Sequence, residues 1–288
     1  MRAKGLWSVG PVAGLAITAP RLAVLSDHDP RAWSNSSCAG AGASACNLRL
    51  YQAAIATSAA VGASFILFPE AYGLSPGKET EPWVSEVGSL PCAASRDAPL
   101  QSGIACAAAA ARVPVVANIF ARLSNGTAQI RDVVFDASGA VIASYAKRHL
   151  FPNEAWPVGE FSASKEAPVT VEIAGVRCGL LICFEGVYPD LTRDWSQLLE
   201  LRRQGAEVLL WSVGGDVPLR LAGERIVKEV GLPVVASMDR ASAAIIGAAG
   251  TLPRPGRSLP LSVPGYTGAA SLLLAALPLA RRGPAATA

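Results

Sequence analysis

The chain has 288 residues, of which 51% are hydrophobic and 16% are charged, and its formal net charge at pH 7 is +3. A chain of this length can bury a substantial core as one α/β domain. So small a net charge gives no reason to expect a nucleic-acid partner or an acidic membrane. Cys178 and Cys183 lack the spacing of a zinc site, and the sequence has no glycine-rich phosphate loop. We therefore expect no cofactor and no metal.

Strands and helices alternate along the first half of the chain. Apolar runs bounded by turn-forming residues predict strands, and apolar residues on one face of a 3.6-residue period predict helices. The predicted elements are, in chain order, a strand at 21–25, a helix at 47–61, a strand at 64–70, a helix at 101–112, a strand at 113–120 and a hairpin formed by 131–135 and 141–146. This order is typical of an α/β domain.

The second half continues the alternation. It predicts a hairpin formed by 169–173 and 176–182, a helix at 190–204, a strand at 207–213, a helix at 219–230 and strands near Val234 and Leu272. In the helix at 190–204, the side chains predicted to face the core are Leu191, Trp195, Leu198 and Leu199. The apolar run 272–279 is too short to span a bilayer. Strands interleaved with helices imply a two-sheet sandwich flanked by helices.

Three reactive side chains stand at the ends of apolar runs that are far apart in sequence. Cys183 follows the run 176–182, Glu70 ends the run 64–70, and Lys147 lies near the end of the run that starts at Ala140. Taken singly, each has an ordinary structural explanation as a buried thiol, a loop carboxylate or a solvated ammonium. Because active sites of α/β sheets collect where strands end, the three together predict one site built from three strands.

The three residue types suit nucleophilic attack on an amide. Glu70 can take the proton of the Cys183 thiol as a general base. Lys147 can supply positive charge to the oxyanion of the tetrahedral intermediate, and the backbone N–H of Phe184 can donate a hydrogen bond to it. The lysine is also expected to favour the thiolate form of the cysteine. A thioester would form and then be hydrolysed by a water that the glutamate activates.

The residues around these side chains resemble the motifs of a known family. Phe68–Glu70, Tyr145–Phe151 and Ile182–Glu185 are similar to those of the nitrilase superfamily, the carbon–nitrogen hydrolases that use a Glu–Lys–Cys triad. The similarity is greatest to the vanin (pantetheinase) and biotinidase branch, on the features Asp132–Asp136, Glu154, Leu90–Cys92, Cys106 and Val115–Asn118. The resemblance runs from about residue 21 to about residue 279. It implies an α-β-β-α sandwich of two mixed sheets flanked by helices.

The resemblance also implies a role for each site residue. By it, Glu70 is the general base, Lys147 the cation beside the oxyanion and Cys183 the nucleophile. Glu154 matches a further glutamate that orients the lysine or assists proton transfer. The substrate it implies is a small secondary amide of the pantetheine or biotinyl-amide kind, rather than a peptide bond within a protein.

One loop departs from the branch. After the predicted strand at 207–213, the chain has Gly214, Gly215 and Asp216 where the branch usually carries a Thr/Ala/Trp-like segment. These three residues are expected to line the substrate pocket, which should be wider there than in the named relatives. Asp216 either attracts a positively charged leaving group or is an ordinary solvated loop residue.

The N-terminus and two glycosylation sequons favour secretion over the cytosol. Residues 1–20 have a basic start, an apolar middle and a small-residue end, as a signal peptide does. Asn35 and Asn125 each begin an Asn-X-Ser/Thr triplet. We therefore predict a signal peptide at 1–20, a carbon–nitrogen hydrolase domain at 21–280 and a tail at 281–288.

The cysteines agree with an oxidising compartment. Cys38 and Cys46 flank a Gly/Ala loop that is typical of a disulfide-closed excursion. In a secreted protein four of the six cysteines should pair locally, so a second bridge is predicted between Cys92 and Cys106. Cys178 and the nucleophile then remain thiols.

Several functional alternatives remain open. The leading hypothesis is a thiol amidohydrolase that acts on a small-molecule amide. Interception of the same thioester by an amine would make the protein an acyltransferase, and a relative that lost turnover would be a binding protein. The expected partner is the amide substrate, with no nucleic acid and no membrane span, and a homodimer is left open.

Overall fold

The computed structural model describes residues 21–26, 30, 42–94, 97–155, 159–215, 217–239, 243–247, 250–251, 257–261 and 270–276. Its strands are β1 (Arg21–Ser26), β2 (Phe65–Leu67), β3 (Val115–Arg122), β4 (Ala128–Phe135), β5 (Val141–Ala146), β6 (Thr170–Ile173), β7 (Val176–Ile182), β8 (Val208–Val213), β9 (Val234–Met238), β10 (Ala244–Gly247), β11 (Gly250–Thr251), β12 (Arg257–Pro260) and β13 (Ser271–Ala276). Its helices are α1 (Gly42–Ala60), α2 (Pro91–Ala94), α3 (Pro99–Ala111), α4 (Tyr188–Thr192), α5 (Ser196–Arg203) and α6 (Leu219–Val230). Short 3₁₀ turns cover Ala71–Gly73 and Cys183–Gly186.

The strands form two mixed sheets, which confirms the predicted α/β sandwich with flanking helices. The first sheet has the order β12-β13-β1-β2-β3-β4-β5, and the second has the order β11-β10-β9-β8-β7-β6. In the first sheet β1, β2 and β3 are parallel, and two antiparallel pairings return β5 to their direction. In the second sheet β7, β8 and β9 are parallel. The carboxyl ends of β2 and β5 therefore lie at the same edge of the first sheet.

The first sheet is covered on both faces. Leu22 and Val24 of β1 belong to the core between the sheets, whereas Ala23 and Leu25 belong to the core beneath α1 and α3. This division follows from strand geometry, because successive side chains point to opposite faces. Strands buried on both faces have continuous rather than alternating apolar sequences, which is why the runs that predicted them have few polar interruptions.

The helix predicted at 190–204 is wrong in one respect, because it is broken into α4 and α5. Arg193 has a left-handed φ of 63° and ends α4. Asp194 then accepts a hydrogen bond from the N–H of Ser196, 3.0 Å away, where α5 begins. The break changes the helical phase, so Leu191 and Leu199 are 71% and 46% exposed instead of facing the core. Of the other two predicted core residues, Leu198 is buried and Trp195 is partly buried.

Other elements were predicted with shifted bounds or not at all. The first helix begins at Gly42, five residues before the predicted start. α2, β10, β11 and β12 have no counterpart in the prediction, because each is at most four residues long and none shows a clear period. Among the described residues, none of the helices combines the length and apolar character that a membrane crossing requires.

The cysteine pairing agrees with the prediction wherever the structure describes it. Cys92 of α2 and Cys106 of α3 form a disulfide, as predicted. Cys46 is disulfide-bonded, and its predicted partner Cys38 lies outside the described residues. Cys178 and Cys183 are buried free thiols, also as predicted. The predicted signal peptide at 1–20, the sequon at Asn35 and the tail at 281–288 lie outside the described residues.

Candidate functional site

The structure brings together the three side chains that the sequence singled out. Glu70 follows β2, Lys147 follows β5, and Cys183 follows β7 of the other sheet. Glu70 and Cys183 line one cavity of about 770 Å³. Glu154, the fourth predicted site residue, lines the same cavity. The site therefore lies where strands of the two sheets end, and both sheets contribute to it.

Lys147 is the centre of the buried charges. Its Nζ donates to Glu70 Oε1 at 2.7 Å and to Glu154 Oε1 and Oε2 at 2.9 and 2.8 Å. Burial alone would lower the pKa of this ammonium, but attraction to Glu70 and Glu154 outweighs it and raises the pKa. The lysine therefore stays protonated and supplies a fixed positive charge next to two carboxylates that line the cavity. Glu70, Lys147, Glu154 and Cys183 are together called the cavity floor below.

The same floor is the cluster that comes closest to a metal site in the described part of the chain. Ligand atoms of Glu70, Glu154 and Cys183 all lie within 4.8 Å of one another. The Lys147 ammonium binds both carboxylates of this group. Two of the three candidate ligands are thus already paired with an organic cation.

Cys183 is held in a strained, well-supported turn. It is the first residue of the 3₁₀ turn, and its φ of 44° lies in the left-handed region, which costs a non-glycine residue about 1 kcal/mol or more. Trp211 Nε1 donates to the Cys183 carbonyl at 2.8 Å, and a Cβ at Gly186 would collide with the ring of the same tryptophan. The thiol is 3.4 Å from the carbonyl oxygen of Gly214. The turn therefore places the sulfur at the cavity floor, and the contacts with Trp211 fix the backbone of the turn.

Burial raises the pKa of both the Glu70 carboxyl and the Cys183 thiol. Burial raises the pKa of Glu70 to about 7, and Glu154 adds to the rise while Lys147 opposes it. Burial and the Glu70 charge also raise the pKa of Cys183, although Lys147 lowers it. Lys147 therefore favours the thiolate, as expected from the sequence, but burial and the Glu70 charge outweigh its effect on the pKa of Cys183. A thiol beside a carboxylate that titrates near neutrality is the arrangement that general-base activation requires.

The loop of Gly214 and Gly215 lies very close to Glu70, because neither residue has a side chain. A Cβ on Gly214 would lie 2.5 Å from Glu70 Oε2, so only glycine fits here without moving the carboxylate. Gly215 donates its N–H to Asp239 Oδ1 at 2.9 Å. Both glycines line the cavity, and Asp216 lies outside the described residues. The width of the pocket relative to other proteins stays a prediction.

Phe184, predicted to support the nucleophile, lines the cavity next to it. Its ring makes an edge contact with Phe151, with centroids 5.3 Å apart, and another with Tyr188, with centroids 6.0 Å apart. Its N–H belongs to the second residue of the 3₁₀ turn, next to the sulfur. Donation from this N–H to an oxyanion stays a prediction.

Glu185 is a buried residue whose structural role the sequence did not reveal. Its Oε1 accepts from the Tyr145 hydroxyl at 2.6 Å and from the Arg148 N–H at 2.7 Å. Its Oε2 accepts from the Ile182 N–H at 2.9 Å. One carboxylate therefore joins the end of β5, beside Lys147, to the end of β7, beside the nucleophile. In the sequence, Glu185 stood out only as the last residue of the Ile182–Glu185 motif.

A second buried pair holds the backbone that follows Glu70. Asn118 Oδ1 accepts from the Ala71 N–H at 2.9 Å, and Asn118 Nδ2 donates to Asp132 Oδ1 at 2.8 Å. The N–H of Glu70 itself donates to the Val213 carbonyl oxygen of the second sheet at 3.2 Å. These contacts fix the base relative to both sheets. The sequence analysis used Asn118 and Asp132 only as points of family resemblance.

The fold and the residues of the cavity floor together describe a two-sheet α/β protein with a buried Glu–Lys–Cys cluster. The sequence matches the family "Carbon-nitrogen hydrolase" over residues 37–249. Because this match covers well over half of the chain, the protein belongs to the carbon–nitrogen hydrolase family of the nitrilase superfamily.

Individual relatives are distant. Pantetheinase from Bos taurus is 30% identical over 175 residues, which cover 51% of this chain and 34% of the pantetheinase. The "Hydrolase in pqqF 5'region" of Pseudomonas protegens is 29% identical over 172 residues, covering 59% of this chain and 54% of that protein. The chain thus spans between a third and about half the length of these curated relatives.

A solved structure of the same superfamily has the same fold. An amidase from Nesterenkonia sp. superposes with a TM-score of 0.61 at 19% identity, and the match covers 93% of this chain and 96% of that one. A mutant of that amidase shows covalent addition of the acetamide moiety of fluoroacetamide at its active-site cysteine. At this identity the likeness establishes the fold.

Proposed function

We propose that the protein is a thiol amidohydrolase that cleaves a small-molecule amide through a thioester on Cys183. The observation that carries the proposal is the buried cluster in which Lys147 binds Glu70 and Glu154, both of which line one cavity together with Cys183. Family membership supports the reaction class, and covalent addition at the active-site cysteine of the Nesterenkonia amidase supports the nucleophile.

The first half-reaction forms the thioester. The sulfur of Cys183 attacks the amide carbonyl carbon while Glu70 takes the thiol proton. The carbonyl oxygen becomes an oxyanion, which the Lys147 ammonium and the N–H of Phe184 stabilise. When the C–N bond breaks, the proton held by Glu70 passes to the leaving nitrogen. The products of this step are an acylated cysteine and a free amine or ammonia.

The second half-reaction restores the thiol. Water enters after the amine leaves, and Glu70 takes one of its protons while the oxygen attacks the thioester carbon. The C–S bond then breaks, the carboxylic acid leaves, and the proton returns from Glu70 to Cys183. Glu154 holds Lys147 in place through both steps, since it binds the ammonium with both oxygens.

For the substrate, we propose a small, vitamin-like secondary amide rather than a peptide bond within a protein. A nucleophile on the floor of a cavity of about 770 Å³ suits a compact ligand. The partial similarity to pantetheinase points to pantetheine-like or biotinyl amides.

Intact-protein mass spectrometry tests the nucleophile and the reaction together. The wild-type protein and a Cys183→Ala variant are incubated with pantetheine, biocytin and simple amides, quenched in acid and weighed. We expect an acyl adduct on the wild-type protein alone, with release of the matching acid. Release of the acid by the alanine variant would contradict the proposal, as would cleavage of folded proteins with no small amide turned over.

Acyl transfer is the second candidate reaction, because an amine can intercept the same thioester. Adding hydroxylamine to the assay separates the two. Hydrolysis gives mainly the free acid at low hydroxylamine, whereas a transferase gives the hydroxamate as its main product.

We also propose that the protein is secreted. Support comes from the Cys92–Cys106 disulfide, the disulfide-bonded Cys46 and the exposure of Asn125 in a surface turn. Treatment of the natively produced protein with an N-glycosidase should lower its mass. Unmodified Asn125 together with reduced Cys92 and Cys106 would contradict secretion.

A further inference from the structure

The cavity opening, called the mouth below, is lined by exposed apolar side chains. Seven large hydrophobic side chains are exposed among the described residues, and three of them, Phe151, Leu191 and Leu221, line this one cavity. Leu191 is 71% exposed and Leu221 is 69% exposed. Exposed apolar side chains that gather at one opening mark a binding surface. The opening therefore suits an apolar part of a ligand.

Each charged side chain that lines the cavity has an oppositely charged partner, with one exception in the described part of the chain. Glu70 and Glu154 share the buried lysine of the floor. Asp190 Oδ1 lies 3.2 Å from Arg225 Nε. Lys78, a half-buried lining residue, has no ion-pair partner among the described residues. The cavity thus offers a positive charge that a ligand can bind.

The loop that carries Lys78 is fixed rather than loosely attached. Lys78 has a left-handed φ of 62°, and its N–H donates to the Ser75 carbonyl oxygen at 2.9 Å. Ser75 in turn donates its N–H to the Ala71 carbonyl oxygen at 2.6 Å, in the turn that follows Glu70. Two consecutive backbone hydrogen bonds therefore tie the lysine to the same segment as the catalytic base.

We propose that the substrate is an amide with an apolar chain next to the scissile bond and an anionic group at its far end, which Lys78 binds. This inference rests on the amidohydrolase activity proposed above. The apolar chain contacts Leu191 and Leu221 at the mouth, where it loses contact with water. The far-end anion pairs with an ammonium that is otherwise without a counter-ion. A cationic far end would meet like charge at the same place.

Three six-carbon amides that differ only at the far end test the proposal. Hexanamide ends in a methyl group, adipamate in a carboxylate and 6-aminohexanamide in an ammonium, and acetamide serves as the reference without a chain. We expect kcat/KM to be about fivefold higher for adipamate than for hexanamide, because a partly exposed ion pair contributes about that much. We expect 6-aminohexanamide to be the poorest of the three.

Variants assign the preference to the named side chains. Lys78→Gln should remove the kcat/KM advantage of adipamate over hexanamide, and Lys78→Glu should reverse the order of adipamate and 6-aminohexanamide. Lys228→Gln, which removes an exposed lysine of α6 outside the cavity, should change none of these ratios. Leu191→Ser combined with Leu221→Ser should raise KM for hexanamide several-fold relative to acetamide.

The outcomes separate this inference from the proposed function. If acetamide is hydrolysed but the three far ends are treated alike, or 6-aminohexanamide is preferred, the substrate inference is wrong and the amidohydrolase proposal stands. If Lys78→Gln leaves the adipamate preference intact, the lysine is not the anion site. If neither these amides nor pantetheine and biocytin are hydrolysed, both proposals fail together.

Discussion

The floor and the mouth of the cavity differ in how far their side chains are buried and paired. On the floor, the buried Lys147 is bonded to two buried carboxylates, and the backbone around them is hydrogen-bonded into both sheets. At the mouth, Leu191 and Leu221 are exposed and Lys78 has no ion-pair partner within the described residues. The fixed, paired groups of the floor can perform the same reaction on many ligands. The exposed side chains of the mouth determine which ligands bind. The comparison predicts that floor substitutions change kcat and mouth substitutions change KM.

The largest expected effect comes from removing a member of the floor cluster. Cys183→Ala should abolish turnover, and Glu70→Gln and Lys147→Met should each lower kcat by about 10²- to 10⁴-fold, because base, cation and nucleophile act as one unit. The measurement is kcat on acetamide. Cys178→Ala, which removes the buried thiol of β7 that the reaction does not use, is the matched control and should keep its turnover. Near-normal activity of Lys147→Met would show that the lysine does not stabilise the oxyanion.

The next effect comes from Glu185, which connects the two halves of the floor without lining the cavity. Glu185→Gln puts an amide N–H₂ where one carboxylate oxygen accepts a backbone N–H, so at least one buried hydrogen bond is lost. We expect kcat to fall about 10- to 100-fold with little change in KM, and Tm to fall as well. Glu200→Gln, on the surface of α5, should alter neither. A rise in KM alone would mean that Glu185 shapes the mouth instead of the floor.

The pH profile should report the base on the floor. The pKa of Glu70 is raised to about 7 by burial, and only its ionised form can accept the thiol proton. Turnover should therefore fall as pH drops below about 7, by about tenfold per pH unit. Glu154→Gln removes a negative charge that raises this pKa, so its profile should shift to lower pH. A profile that is flat between pH 5.5 and 8.5 on a neutral amide would exclude Glu70 as the titrating base.

A smaller effect, on stability rather than rate, should come from Asp132 beneath the floor. Burial raises its pKa from 3.8 to about 8. A carboxyl with a raised folded-state pKa binds more protons when folded than when unfolded, so the free energy of unfolding falls as pH rises through that window. Asp132→Asn cannot titrate, and its stability relative to the wild type should rise between pH 5 and pH 8, on the order of a few kcal/mol. Urea unfolding at the two pH values measures this difference, and an unchanged difference would mean that Asp132 is ionised throughout.

Sequence reasoning located the floor but not the mouth, for a physical reason. Glu70, Lys147 and Cys183 each stand at or near the end of an apolar run, and active sites of α/β sheets collect where strands end. The ends of β2 and β5 share one edge of the first sheet, and the end of β7 in the second sheet meets them there. Leu191 was assigned to the core because its position fits a continuous helix from 190 to 204. The left-handed Arg193 breaks that helix, and nothing in the local sequence marks the break as strongly as a glycine would.

Hydrogen-bond partners across the sheets were equally hidden. Glu185 stands beside the nucleophile in sequence, but its partners Tyr145 and Arg148 are about forty positions away along the chain. Such a contact depends on how far one sheet slides over the other, which periodicity does not report. The raised pKa of Cys183 could not be predicted from the sequence for the same reason. Burial of the thiol, which outweighs the effect of the nearby Lys147, arises only when the tertiary structure forms.

Turnover should also depend on how the two sheets are aligned, because Glu185 links the end of one to the end of the other. Its carboxylate belongs to the turn after β7 but is held by groups at the end of β5, so a slide of one sheet by the width of a side chain would separate nucleophile from ammonium. Each sheet could keep its own ladder of hydrogen bonds during such a slide. On gradual heating, turnover should therefore disappear while circular dichroism still records intact strands.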